Sequence, residues 1–115
     1  MSHPEVLKLD HENLDEFLKQ KSFVLILGKS DCDACNQWET DLNDAFANED
    51  LGDLPVGKLN LDQRKLGNFK RENPWLQEVN DLPFNAIYRD GDLVKSFAGG
   101  GISRLKPRLE RLGLI

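Results

Sequence analysis

The chain has 115 residues, of which 39% are hydrophobic and 30% are charged, and its net charge is −5. This length fits one domain with a single core, so we expect residues 1–115 to form a single domain. The composition excludes a disordered chain, and no apolar run approaches the ~20 residues of a membrane-spanning helix. Because the net charge is negative, we expect neither nucleic acid nor an anionic membrane surface as a partner.

The first predicted elements are a strand and a helix. Residues 5–9 alternate weakly between polar and apolar side chains, which predicts a strand. Asp10 then stands where a helix N-cap would, ahead of Leu14, Phe17 and Leu18 at helical spacing. The pattern therefore predicts a helix that begins just after Asp10.

A second strand and a second helix flank the two cysteines of the chain. Residues 23–27 are a continuous apolar run ended by Gly28, which is typical of a strand buried on both faces. Cys32 and Cys35 follow this strand closely, and helix two is expected to begin at them. The stripe that this helix turns inward is expected to pack in the core and not to hold a cofactor; it consists of Trp38, Leu42, Ala45 and Phe46.

The sequence pattern of the second half of the chain predicts a strand, an interrupted helix and a hairpin. Residues 54–61 read as a third strand, and the helix that follows cannot continue through Asn73-Pro74. Trp75 lies just beyond this break, where it could contact a partner or form a local lid. Two further strands, at residues 84–88 and 93–97, flank Asp90-Gly91, the signal of a type I′ hairpin.

The chain ends in a predicted helix. Ser103 stands at its expected N-cap, and Leu105, Leu109 and Leu112 would face inward. Pro107 is close enough to the expected start to be tolerated.

The predicted order is β-α-β-α-β-α-β-β-α, which implies an α/β fold whose mixed sheet carries helices on both faces. The cysteines then lie at the carboxyl end of a central strand and at the amino end of a helix. Open α/β sheets place their chemistry at this edge, and helix N–H groups favour a thiolate there. The position therefore indicates reactive cysteines.

Five features of the sequence match one family at their relative positions. They are Cys32-Asp33-Ala34-Cys35 after the apolar strand, residues 58–62 (KLNLD), Leu82-Pro83 before the hairpin, Asp90-Gly91 within it and Gly99 after it. Along nearly the whole chain, the sequence resembles the thioredoxin superfamily.

This resemblance implies a thioredoxin-like fold and a role for each matching residue. Cys32 would be the exposed nucleophile and Cys35 the buried resolving thiol. Pro83 would be a cis-proline that faces them, with Leu82 and Gly99 beside it to contact a substrate peptide. Lys58 would be a strand residue beneath the site.

The implied activity is dithiol–disulfide exchange on protein disulfides, with electrons from a reductant and with no bound cofactor or metal. We expect a monomer. The start of the chain, Met-Ser-His-Pro-Glu, lacks the basic and apolar segments of a secretory signal, so we also expect a cytoplasmic protein.

The chain also departs from the family's pattern. Ile26 stands where the family has a buried aspartate, and Asp31 replaces the tryptophan that precedes the first cysteine. Asp33-Ala34 separates the cysteines in place of Gly-Pro, and residues 71–75 belong to an insertion. The resemblance is therefore to a divergent member of the superfamily.

Asp31 and Asp33 should tune the reactivity of Cys32. A carboxylate about 6 Å from the sulfur disfavours the thiolate by ~0.7 kcal/mol at the dielectric constant of water and by ~3 kcal/mol at an effective value of ~20. The helix terminus contributes about 0.3–2 kcal/mol in the opposite direction. We therefore predict that the pKa of reduced Cys32 stays near the ordinary value of about 8.5 and that the couple is reducing. A simpler alternative is that the two aspartates only cap and charge the helix start.

Lys58 has two possible roles. It is either a positive charge near the sulfurs, where it would lower their pKa, or a strand lysine whose head reaches solvent.

Other interpretations of the cysteine pair remain open. A purely structural disulfide would close a loop of about four residues and stabilise by only about 2 kcal/mol, and the cytoplasm disfavours it. A zinc site needs two further ligands, and the two histidines, His3 and His11, show no paired spacing. The third alternative is a thioredoxin-fold adapter whose cysteines are vestigial or regulatory.

Overall fold

The computed structural model of the protein describes residues 5–115. Within this range no helix is both long enough and apolar enough to span a membrane. In chain order the elements are β1 (Leu7–Leu9), α1 (Leu14–Leu18), β2 (Phe23–Gly28), α2 (Asp33–Ala47), β3 (Val56–Asn60), α3 (Gly67–Glu72), a 3-10 helix (Pro74–Glu78), β4 (Phe84–Arg89), β5 (Asp92–Ala98) and α4 (Ile102–Arg111).

The five strands form one mixed sheet in the order β1-β3-β2-β4-β5. Strands β1, β3 and β2 are mutually parallel, whereas β4 runs antiparallel to β2 and β5 antiparallel to β4. The predicted order of elements and the mixed sheet are confirmed. Because β2 lies at the centre, its carboxyl end is flanked by β3 on one side and by β4 on the other.

Strand β2 separates two hydrophobic cores, one on each face of the sheet. All of its residues are buried, and alternate side chains point to opposite faces. Val24 and Ile26 belong to the core that α2 and α4 cover, whereas Leu25 and Leu27 belong to the core that α1 and α3 cover. This confirms a strand buried on both faces, with helices on both sides of the sheet.

The hairpin between β4 and β5 turns at Asp90-Gly91. Both residues have positive φ, 54° at Asp90 and 85° at Gly91, as a type I′ turn requires. The peptide bond between Leu82 and Pro83, just before β4, is cis. The hairpin and the cis-proline are therefore confirmed.

The start of α1 differs from its prediction. The helix begins at Leu14, and Asp10 caps the preceding turn by accepting hydrogen bonds from the backbone N–H groups of Glu12 and Asn13. Aspartate favours such a local turn as readily as a helix N-cap, which is why the pattern placed the helix start too early.

The start of α4 also differs from its prediction. The N-cap is Gly101, whose φ of 118° suits glycine, and Ser103 lies within the first turn. As a consequence, Pro107 stands inside the helix and not near its start, so the carbonyl of Ser103 loses the partner that an N–H at position 107 would provide. The burial of Leu105 and Leu109 holds this helix against the sheet.

Candidate active site

The two cysteines lie where β2 gives way to α2, and they form a disulfide. Cys32 is partly exposed and is the N-cap of α2, where its Sγ accepts a hydrogen bond from the N–H of Cys35 at 3.1 Å. Cys35 is in the first turn and is fully buried. One sulfur of the pair is therefore open to attack by another molecule, and the other is enclosed by the protein.

The aspartates beside the cysteines face solvent. Asp31 precedes the helix and Asp33 lies in its first turn, and both are exposed. Neither aspartate caps the helix, because the cap is the sulfur of Cys32, so the capping part of the simpler alternative does not hold. A negative charge in the first turn still stabilises the helix through its dipole, and the effect of both carboxylates on Cys32 remains a prediction.

The loop that carries the motif is tied to the end of β3. The backbone N–H and the hydroxyl of Ser30 both donate to the carboxylate of Asp62. The hydroxyl of Ser30 lowers the pKa of the exposed Asp62 carboxyl below its ordinary value of 3.8. Sequence reasoning missed this contact because it joins positions 32 residues apart, of which only Asp62 lies in a stretch that carries the family resemblance.

Gly28, the last residue of β2, lets Cys35 pack against the strand. A Cβ atom at this position would lie 3.2 Å from Cys35 Cβ and 3.3 Å from its Sγ. It would also lie 3.3 Å from the side-chain oxygen of Asn60. Glycine here therefore places the buried sulfur next to the end of β3.

Lys58 is buried below this point and does not reach solvent. It pairs with Ile26 across the sheet, and its side chain is 6% exposed. Its Nζ donates to Asn36 Oδ1 at 2.9 Å and lies 3.4 Å from Glu39 Oε1, both on α2. The positive charge of Lys58 is thus paired with the carboxylate of Glu39. Whether the lysine lowers the pKa of the cysteines stays a prediction. Neither helix partner was singled out from the sequence.

The other side of the site is formed by the segment around the cis-proline. Leu27 pairs with Phe84, so continuing the same register puts Pro83 opposite Gly28. The carbonyl of Pro83 accepts a hydrogen bond from Gly99 N–H at 2.7 Å. The structure therefore brings Leu82, Pro83 and Gly99 together beside the strand end that carries the cysteines. Within residues 5–115 the backbone N–H and C=O of Leu82 make no hydrogen bond.

A buried asparagine holds the Gly99 segment in place. Asn85 is fully buried, accepts a hydrogen bond from Trp38 Nε1 at 2.7 Å, and donates to the carbonyls of Phe97 and Gly99 at 3.1 and 2.7 Å. The predicted core position of Trp38 is confirmed. The role of Asn85 was missed, and its signal was a lone amide in an otherwise apolar predicted strand.

Trp75 is half-buried and packs beside the cis-proline segment. Its ring centroid lies 6.2 Å from that of Phe84, and its Nε1 donates to Asn73 Oδ1. The tryptophan therefore packs on the α1 and α3 side of the core and stays partly exposed.

The two histidines considered as zinc ligands lie near the start of the chain. His3 lies outside the described residues, as do the first residues on which the cytoplasmic expectation rests. His11 is exposed beside Glu12. Among residues 5–115, no group of three or more His, Cys, Asp or Glu side chains is arranged to hold a metal ion.

No protein-family model matches the chain, and no curated protein matches it. Solved structures do resemble it. Thioredoxin O2 from Arabidopsis thaliana, in its oxidised state, has 18% identity and a TM-score of 0.73, with 96% of this chain and 98% of that one covered. Thioredoxin f2 from Chlamydomonas reinhardtii has 16% identity and a TM-score of 0.73, with coverage of 96% and 98%. Thioredoxin from Trypanosoma brucei brucei has 16% identity and a TM-score of 0.73, with coverage of 96% and 93%. The chain therefore has the thioredoxin fold over nearly its whole length.

Proposed function

We propose that the protein is a thiol–disulfide oxidoreductase that acts on protein disulfides through the Cys32–Cys35 couple. The observation that carries the proposal is the disulfide at the carboxyl end of β2, in which Cys32 is partly exposed and Cys35 is fully buried. A structural disulfide has no need of this asymmetry, whereas an exchange reaction needs one accessible sulfur and one protected sulfur nearby.

The arrangement supports a two-step exchange. The thiolate of reduced Cys32 attacks one sulfur of a partner's disulfide, forms a mixed disulfide and releases the other partner sulfur as a thiolate. The thiol of Cys35 then loses its proton and attacks Cys32 Sγ. This step forms the Cys32–Cys35 disulfide and expels the second partner sulfur. The partner gains two electrons and two protons, and a separate reductant must restore the dithiol.

We propose that the substrate is an extended segment of a disulfide-bearing protein, bound along the cis-proline side of the site. The free N–H and C=O of Leu82 match the backbone groups of a peptide strand. Pro83 and Gly99 lie beside Leu82 and are joined by the hydrogen bond from Gly99 N–H to the carbonyl of Pro83. Such backbone pairing would tolerate many side chains in the substrate.

The acidic surroundings of Cys32 favour the reductase direction over the oxidant direction, because a disfavoured thiolate makes the reduced form a better electron donor. We propose a cytoplasmic monomer that contributes to cellular redox homeostasis by passing electrons to its substrates. The reaction uses the two sulfurs alone and calls for no bound cofactor.

Reduction of insulin by dithiothreitol tests the proposal. The wild-type chain should accelerate insulin precipitation, and Cys32→Ser should abolish the acceleration because the attacking sulfur is lost. Ala34→Ser is the matched control, since it adds a hydroxyl at the exposed position between the cysteines and keeps both sulfurs. No acceleration by the wild-type chain would contradict the proposal. Partner binding that survives in a Cys32→Ser/Cys35→Ser variant would then favour the adapter.

Cys35→Ser offers a route to the substrate itself. Without the resolving thiol, the mixed disulfide between Cys32 and its partner cannot be released by the second step. We expect this variant to retain partners that a reductant frees, and Cys32→Ser to retain none of them.

A further inference from the structure

The second step of the exchange requires a proton acceptor for Cys35. The sulfur of Cys35 is fully buried, so bulk solvent cannot take its proton directly. Ile26, two positions before Gly28 on the same face of β2, carries an apolar side chain and cannot accept a proton. A basic group must therefore reach the sulfur from another direction.

A polar cavity of about 180 Å³ lies on the β3 side of the motif. Its lining includes Asn36 and Glu39 of α2, Lys58 and Asn60 of β3, and Lys8 of β1. Glu39 is the acidic group of this lining, and its side chain is 22% exposed, so it communicates with solvent. A cavity of this size with several polar partners is of the kind that holds water.

This cavity approaches the buried sulfur at Asn60. The Cβ position of Gly28 lies 3.3 Å from Asn60 Oδ1 and also 3.3 Å from Cys35 Sγ, so both atoms border the same point. Asn60 Oδ1 is buried and accepts no hydrogen bond from residues 5–115. Glu39 follows Cys35 by four positions on α2, so the two residues are neighbours on one face of the helix.

We propose that Glu39 is the proton acceptor for Cys35 during resolution of the mixed disulfide. The proton passes through water of the cavity, which Asn60 Oδ1 orients by accepting a hydrogen bond. Lys58 acts as a positioning residue, because it holds the Glu39 carboxylate from 3.4 Å away. This inference rests on the proposed exchange activity and assigns its second step to a named base.

The step balances in atoms and electrons. The Cys35 thiol gives its proton to the Glu39 carboxylate while its sulfur forms a bond to Cys32 Sγ, and the bond from Cys32 Sγ to the partner sulfur breaks. The partner leaves as a thiolate and is protonated by solvent. Because a carboxylate is a weaker base than a thiolate, Glu39 holds the proton only while the sulfur attacks and then returns it to solvent.

Whether replacing Glu39 slows or speeds the attack by Cys35 distinguishes a proton acceptor from a purely electrostatic role. Removing a negative charge near Cys35 would by itself favour the thiolate and speed its attack. Removing the proton acceptor would slow the same attack. The other charged groups that line the cavity are Lys58 and Lys8, and both persist in a Glu39 variant.

The two steps can be timed separately with an aromatic disulfide, dithiobis(nitrobenzoate), mixed in stopped flow with an equal amount of reduced protein. The first coloured thiolate reports attack by Cys32, and the second reports attack by Cys35. We expect Glu39→Gln to slow the second phase by about tenfold or more at neutral pH and to leave the first within about twofold. Between about pH 6 and about pH 9, the rate of the second phase should rise steadily with hydroxide concentration in the variant. In the wild type, the rate of the same phase should level off.

Two variants complete the test. Asp44→Asn removes an exposed carboxylate further along α2 and should leave both phases unchanged. Glu39→Asp keeps a carboxylate and should retain the levelling of the second phase, which preserves the test if Glu39→Gln does not fold. A second phase of Glu39→Gln that matches Asp44→Asn or is faster overturns the inference, and so does equal slowing of both phases. If the wild-type chain releases no second thiolate, the proposed function itself fails and the inference falls with it.

Discussion

The disulfide lies between two flanks of different character. On one side, at the end of β3, the side chains are charged or polar; this β3 flank consists of Ser30 bound to Asp62, Lys58 paired with Glu39, and Asn60. On the other side, the β4–β5 flank consists of the uncharged residues Trp38, Leu82, Pro83, Asn85 and Gly99, and the guanidinium of Arg104 lies against Gly99. Both flanks contact the same short turn between β2 and α2.

The difference between the flanks suggests a division of labour. Ionisable side chains suit the handling of protons and the tuning of sulfur reactivity, so we assign these tasks to the β3 flank. The free backbone groups of Leu82 suit the binding of a peptide, so we assign substrate binding to the β4–β5 flank. Variants on the β3 flank should mainly change rates and pH profiles, whereas variants on the β4–β5 flank should mainly change stability and substrate affinity.

The largest effect should come from Asn85→Leu on the β4–β5 flank. This change leaves Trp38 Nε1 and the carbonyls of Phe97 and Gly99 without their partner, at about 1–3 kcal/mol for each buried group. We expect the free energy of unfolding to fall by about 3 kcal/mol or more in urea denaturation. Asn80→Leu, at an exposed position, is the control and should stay within about 0.5 kcal/mol of the wild type. A similarly small loss for Asn85→Leu would show that the network does not hold this flank.

The next effect should come from Lys58→Met on the β3 flank. Loss of the buried ammonium group releases Glu39 and removes a positive charge that favours a nearby thiolate, and both changes slow exchange. We expect the exchange rate to fall by about three- to tenfold, with its pH profile displaced to higher pH, in the stopped-flow assay. Lys8→Met, which changes an exposed lysine of the same cavity, is the matched control. An unchanged rate and profile in Lys58→Met would mean that the lysine serves only the packing of β3 against α2.

A smaller effect should follow from removing the two carboxylates beside Cys32. Because Asp31 and Asp33 are exposed, the low end of their effect applies, ~0.7 kcal/mol for each carboxylate, or about one pKa unit for the two together. In an Asp31→Asn/Asp33→Asn variant, the pH of half-maximal alkylation of Cys32 should fall by about one unit. The difference from the wild type should shrink at high salt, which screens exposed charges. A wild-type half-maximum already below neutrality would contradict the predicted ordinary reactivity.

The smallest effect should come from Ser30→Ala, which removes the hydroxyl bound to Asp62. Because that hydroxyl lowers the pKa of Asp62, its contribution to stability is fully present above pH 3.8 and is lost as the pH falls through the lower folded value. We therefore expect the wild type to be slightly more stable than Ser30→Ala at neutral pH and the difference to vanish in acid. Thermal unfolding across that range measures it. A difference that grows in acid would mean that the contact does not depend on the ionised carboxylate.

Most of the fold follows from local sequence patterns. The continuous apolar run of β2 and the stripe of α2 predict their burial, because side chains that share a period also share a face. The cis peptide bond before Pro83 could be expected only from the resemblance of the whole sequence to a family. The starts of two helices were predicted wrongly at Asp10 and Ser103. Residue types that cap helices also stabilise isolated turns and occur within the first turn of a helix.

The site was only partly predictable. The spacing of the cysteines and the end of a buried strand locate the chemistry, but the polar contacts around it join distant positions. Trp38 meets Asn85 across 47 residues, and Asn36 meets Lys58 across 22. Such pairs depend on how the strands are ordered in the sheet and leave no local period in the sequence.

The central claim is that Cys32 and Cys35 act as an attacking and a resolving thiol. Mass spectrometry of reduced protein quenched at intervals after mixing with glutathione disulfide tests it most directly. We predict that the wild type loses two hydrogens and closes its disulfide, that Cys35→Ser accumulates one glutathione adduct at Cys32, and that Cys32→Ser stays unmodified over the same time because Cys35 is buried. Equal adduct formation in the two single variants, or a wild-type adduct that never closes, would contradict the account.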